Sequence, residues 1–149
     1  MLRKYRMGFD LKALVLFLII MLPTWVWASS PAPDDVLRAP SITPVPDGIG
    51  TVCQVIFLFV LCAFLHQNRR GTTIGPLLVL CIISALLYYL GWGLYYAGLT
   101  SWPVILLMTL PPCLCFAFYA LHQRCCIALI PIGLFTACHM VSALVNHIF

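Results

Sequence analysis

Glutamate does not occur in this chain, and charge of either sign is scarce: eight Lys and Arg and four Asp stand among 149 residues. A soluble domain of this length carries about a quarter of its residues charged, roughly 37. The shortage excludes a soluble globular domain, because a small core cannot hide a chain that is 63% apolar. It also excludes a disordered tail and a nucleic-acid binder, whose surfaces need charge. There is no Gly-rich phosphate loop and no nucleophile–base set, and the apolar runs hold no carboxylate. Intramembrane hydrolysis and proton-coupled transport are therefore not expected.

What the chain does have is long apolar runs and a mean hydropathy of +1.06. The runs cover residues 13–28, 49–66, 74–97, 102–121 and 125–147. A helix needs about 20 residues to cross the hydrocarbon core, within a range of about 17–25. The last four runs meet this, and the first does so when counted from Leu11 with Lys12 snorkelling. The expected fold is all-α, an integral membrane bundle of five transmembrane helices, or four if the first is a cleaved signal. A basic stretch, an apolar run and Val26-Trp-Ala28 ahead of Ser29 fit such a signal. Trp25 and Trp27 after Pro23 fit equally well an interfacial belt on a retained helix. Residues 1–28 thus form a basic N-terminus with a first membrane helix or signal peptide. Residues 29–48 form a Pro-rich extracellular loop, and residues 49–149 a four-helix transmembrane region.

Orientation follows from the basic residues. With a cytoplasmic N-terminus, Arg3, Lys4, Arg6, Lys12, Arg69, Arg70 and Arg124 fall inside, and Arg38 alone falls outside with Asp34, Asp35 and Asp47. That is the positive-inside bias of a plasma-membrane protein, and five spans put the C-terminus outside. In the loop, five prolines between Pro31 and Pro46 favour an extended path. Pro33 to Arg38 is expected to make one helical turn capped by an Asp, and Asp47 is expected to cap the second membrane helix. Arg6 and Asp10, four apart, are expected on one face at the start of the first helix.

A faint repeat links His66-Gln67-Asn-Arg69 with His122-Gln123-Arg124, followed by Pro76 and Pro131 and then by Ser84-Ala-Leu and Ser142-Ala-Leu. It suggests two copies of a helical hairpin, two to three and four to five.

Three sets of residues stand out. Thr136, His139, Ser142 and Asn146 share one face of the last helix, which must turn away from lipid. They form either a polar notch in the bundle or interhelical hydrogen bonds. Ser84, Tyr88, Gly91, Tyr95 and Gly98 repeat at seam spacing and are expected to meet helix five or a partner subunit. Trp92, Tyr95, Tyr96 and Trp102 read as belt residues. Pro111 and Pro112 should kink or break helix four, since Pro111 removes an amide and clashes one turn back.

The eight cysteines lie in or beside apolar runs and read as small hydrophobes. His66 and His122 fall at one membrane boundary, where a solvated histidine is expected. Cys113-x-Cys115 and Cys125-Cys126 lack zinc spacing. No metal and no other cofactor is expected.

Arg6-Met-Gly-Phe-Asp10, Pro31-Ala-Pro-Asp-Asp-Val-Leu-Arg38, Ser41-Ile-Thr-Pro-Val-Pro-Asp47 and Leu110-Pro-Pro-Cys-Leu114 resemble a family of small, uncharacterised multipass membrane proteins from Firmicutes. The likeness runs from Arg6 to the final helix and brings no catalytic residue. Similar proteins often lack a cleavage site near Val26-Trp-Ala28, so the resemblance implies a retained first helix.

The expected function is non-enzymatic. The protein is expected to lie in the lipid bilayer and act through helix packing, as a homo-oligomer or with a membrane-protein partner. The rival is a small-solute transporter or channel subunit using the polar face of the last helix.

Overall fold

The computed structural model describes residues 4–33, 35–68 and 74–147; Arg3, Asp34, Arg69 and Arg70 lie outside the described residues. Its helices are α1 (Leu11–Ser29), α2 (Pro44–Ala63), α3 (Pro76–Tyr96), α4 (Trp102–His122) and α5 (Leu129–His147). Each has 19 to 21 residues, which at 1.5 Å per residue gives about 28 to 32 Å. That matches the hydrocarbon thickness of about 30 Å. All five are long and apolar enough to cross a membrane. The fold is an all-α membrane bundle.

Two short strands, β1 (Tyr5–Met7) and β2 (Phe64–His66), pair antiparallel at one end, with Arg6 opposite Leu65. This is the ladder end. The other is the loop end, where residues 30–43 cross between α1 and α2. The ladder ends α2 at Ala63, earlier than the apolar run to His66 suggested. Pairing with β1 supplies backbone partners that a membrane helix terminus would otherwise lack.

Asp10 caps α1 and accepts the Lys12 amide at 3.0 Å. Because Arg6 sits in β1 and the helix begins at Leu11, the expected Arg6–Asp10 pairing along a helical face does not arise. At the loop end α2 starts at Pro44, with Pro44 and Pro46 in its first turn, where a missing amide costs nothing. Asp47 is therefore not the cap but lies inside the helix, and Thr43 takes the cap position. Asp35 precedes the expected turn, Val36–Arg38, without a capping hydrogen bond from its side chain.

α3 packs along α4, α4 along α5 and α5 along α2, while α1 closes the circuit lightly between α2 and α3. The two-to-three hairpin suggested by the repeat is not formed, since α2 and α3 share no extensive contact. The connections explain this. Residues 97–101 between α3 and α4 are few enough to force antiparallel neighbours, whereas residues 64–75 let α3 leave α2.

The seam on α3 is buried at Ser84, Tyr88, Gly91 and Tyr95, but it packs on α4 and not on α5. A Cβ on Gly91 would lie 3.0 Å from Leu107 Cβ and from Met108 Cγ. Gly98 is beyond the helix at φ 86°, where Leu99 N–H donates to Leu94 O and Gly98 N–H to Tyr95 O. It terminates α3 and is not part of the seam. Arg124 closes α4 in the same way at φ 58°.

α4 is the most enclosed helix and is continuous through Pro111 and Pro112, so of the expected kink or break the break does not occur. The prolines leave the Leu107 and Met108 carbonyls without their usual amides. Neighbouring helices hold α4 in place, as membrane bundles allow.

Val at Gly91 is expected to force α3 from α4 and cost about 1–3 kcal/mol, whereas Val at Gly93, which has open space around it, should cost far less. Thermal denaturation of the two variants in detergent checks this; equal midpoints would contradict the close approach.

Candidate functional site

At the loop end all five helices line a cavity of about 430 Å³. Thr24 and Trp27 of α1, Asp47 and Gln54 of α2, Tyr88 and Trp92 of α3, Met108 and Pro112 of α4, and His139 and Asn146 of α5 all face it. Such a volume suits a small organic molecule.

One side of its rim is built from hydroxyls. Ser41 Oγ donates to Asp47 Oδ2 at 2.5 Å, and Ser142 Oγ donates to Asp47 Oδ1. Asn146 Nδ2 donates to Thr43 Oγ1 at 2.6 Å, and its Oδ1 accepts the Ile42 amide at 2.7 Å. The carboxylate thus sits in the first turn of α2, where the helix dipole favours it. The expectation that no carboxylate enters a span is corrected: Asp47 lies within the apolar helix Pro44–Ala63. Its position depended on where two prolines would let the helix begin.

A second tie at the loop end is made by Asp35. Its Oδ1 accepts the Trp27 indole at 2.9 Å and the Tyr95 hydroxyl at 2.8 Å, and its Oδ2 pairs with Arg38 at 2.9 Å. Arg38 also lies over the Trp27 ring, 5.3 Å from its centre. Tyr95 accepts the Leu37 amide in return. Burial pushes the Asp35 carboxyl upward, but the hydrogen bonds from Trp27 and Tyr95 and the Arg38 charge together hold it below the usual carboxylate range. Trp92 and Tyr95 are buried and not belt residues, whereas Trp102, 61% exposed, stands where a belt residue would.

The polar face of α5 divides by role. Ser142 and Asn146 tie α5 to the loop and to α2. His139 faces the cavity and stacks on Phe135, ring centres 5.2 Å apart. Thr136 turns to its own helix, donating to Ile132 O at 2.7 Å, and does not line the cavity. Deeper in, the Thr24 and Tyr88 hydroxyls lie 3.2 Å apart, and Gln54 Nε2 reaches the Met21 sulfur at 3.6 Å. Gln54 escaped the sequence reading, although an amide inside an apolar helix is a signal in its own right.

The ladder end carries a second buried polar set. Asp10, 4% exposed, accepts the Tyr119 hydroxyl at 3.2 Å, and Gln123 Nε2 donates to the same hydroxyl at 3.4 Å. His122 is fully buried beside them in sequence, not solvated as expected, and His66 packs its ring on Tyr5. Among the described residues no group of three His, Cys, Asp or Glu side chains is arranged to hold a metal ion.

Five apolar spans with inward-turned polar side chains define a multipass membrane protein. Comparison with known proteins found no matching family model, no matching curated protein and no matching solved structure.

Because Asp35 is held low, the stability it contributes is present above its unfolded pKa of about 3.9 and is lost as pH falls through its lower folded value. Tryptophan fluorescence of the purified chain should therefore change below about pH 4 as Trp27 is released. Asp35→Asn, lacking the Arg38 pair, should lose most of that transition; superimposable titrations would exclude Asp35 as the anchor.

Proposed function

We propose that this multipass protein binds a small organic cation with an apolar body in its loop-end cavity, as a solute transporter or channel subunit. The observation that carries the reading is the lining itself. Asp47 is the one acidic side chain among the described lining residues, and Trp27, Tyr88, Trp92, Phe116 and Phe135 line the same cavity. A carboxylate with aromatic walls favours a cation, each face contributing about 0.5–2 kcal/mol when desolvated. Ser142 gives its hydrogen to Asp47 and not to His139, so the two side chains do not form a serine–histidine pair. Action through packing with a partner loses support, because the seam expected to serve it is filled by α4 of the same chain.

We place the ladder end in the cytoplasm of a plasma-membrane protein, with α1 retained. Lys4, Arg6, Lys12 and Arg124 cluster there, against Arg38 at the loop end. Retention of α1 is supported by its bonds to the rest of the bundle, including Asp10 to Tyr119 and Tyr89 to Ile19 O. The cavity then opens outside. A reporter fused after Phe149 should be active only as an external fusion, and the purified mass should include residues 1–28. A cytoplasmic C-terminus or a chain beginning at Ser29 would refute this arrangement.

Benzyltrimethylammonium titrated into the purified full chain should quench the cavity tryptophans saturably. His139→Leu, which breaks no hydrogen bond of the rim, and Asp47→Asn should each weaken binding about tenfold, or about 1.4 kcal/mol. A linear quench, identical in all three proteins, would defeat the proposal.

A further inference from the structure

Cys81 of α3 and Cys115 of α4 face each other with their sulfurs 3.3 Å apart. Both are buried, at 2% and 0% exposure, and neither is in a disulfide. The close approach of α3 and α4 at Gly91 continues down to this pair. Joining the sulfurs at about 2.05 Å requires them to close by only about 1.3 Å. By helical rise, Cys81 lies about 8 Å along α3 from Pro76, inside an apolar span that water-borne oxidants do not enter.

One opening does reach Cys81. A groove of about 620 Å³ between α1 and α3 has Cys81 in its wall, with Val15, Ile19, Ile82 and Ala85 making it apolar. Tyr119 and Gln123 close the same wall, with the Tyr119 hydroxyl engaged by Asp10 and by Gln123. The groove is flanked by helices that expose Val15, Ile19, Ile82 and Leu86 as a lipid-facing surface. A molecule arriving there comes from the bilayer, carries an apolar body and lies against the wall that holds Cys81.

We propose that Cys81 and Cys115 are a membrane-embedded dithiol that a lipid-soluble quinone, seated in the α1–α3 groove, oxidises to a disulfide. Two S–H bonds break and one S–S bond forms. The two electrons and two protons pass to the quinone, which leaves as the quinol. The crosslink locks α3 to α4, the pair of helices that supplies Tyr88, Trp92, Met108 and Pro112 to the loop-end cavity.

The test uses the full chain in lipid nanodiscs, reduced and then exposed to decylubiquinone or to oxidised glutathione. After denaturation the free thiols are alkylated and weighed. Decylubiquinone should leave two fewer of the eight cysteines alkylated, with a Cys81–Cys115 peptide and one quinol formed per crosslink. Oxidised glutathione should act at least tenfold more slowly. Ala85→Phe, which fills the groove, should slow the quinone reaction at least tenfold while iodine, a small oxidant, still crosslinks the pair. If Ala85→Phe also blocks iodine, Cys81→Ser serves instead and should form no quinol. Alkylation of all eight cysteines after quinone, a quinone adduct on either thiol, or glutathione acting as fast as the quinone would each overturn the proposal.

Discussion

Hydrocarbon offers a polar side chain no water to turn to, and almost every feature of this bundle answers that constraint. The hydroxyls of Thr109 and Thr136 fold back onto carbonyls of their own helices at 2.7 Å. Those of Tyr88, Tyr95 and Ser142 reach across to other segments. The carboxylates at two helix starts, buried Asp10 and half-buried Asp47, sit where backbone dipoles and donated hydrogen bonds stabilise them. Apolar side chains face the other way, and residues such as Leu86 and Phe59 stand exposed because lipid is their solvent.

The two ends of the bundle meet this constraint differently. At the ladder end the backbone does the work: β1 and β2 pair, and the Gly8 and Asp10 amides donate to Ala63 O and Cys62 O. At the loop end side chains do it. Asp35 gathers α1, α3 and the loop, while Asp47 gathers α2, α5 and the loop. Between these two anchors the helices need not touch, and the cavity occupies that space.

Much of the fold was legible in the sequence. Spans and loop follow from run length and from the known limits of Pro, within a few residues, whereas the caps do not, since Thr43 and not Asp47 caps α2. The buried seam on α3 was readable too, because its spacing marks a face. What it met was not. Periodicity says which side of a helix is buried and is silent on the neighbour, so α4 and not α5 filled the seam. The candidate site was half legible: Ser142, Asn146 and His139 were visible as a stripe. Asp35, Asp47 and Gln54 were not, since nothing local to them marks the partners they bind.

By itself, then, the sequence determined that this chain lives in a bilayer, that five or four helices cross it and which faces avoid lipid. These depend on side-chain hydropathy and on a period of 3.6 residues, both local properties. Only the tertiary structure decided that Cys81 meets Cys115, 34 positions away, and that Asp35 gathers α1 and α3 while Asp47 gathers α2 and α5. The reason is that contacts between helices depend on connection length and on how closely backbones can approach, and neither is written at the positions that finally touch.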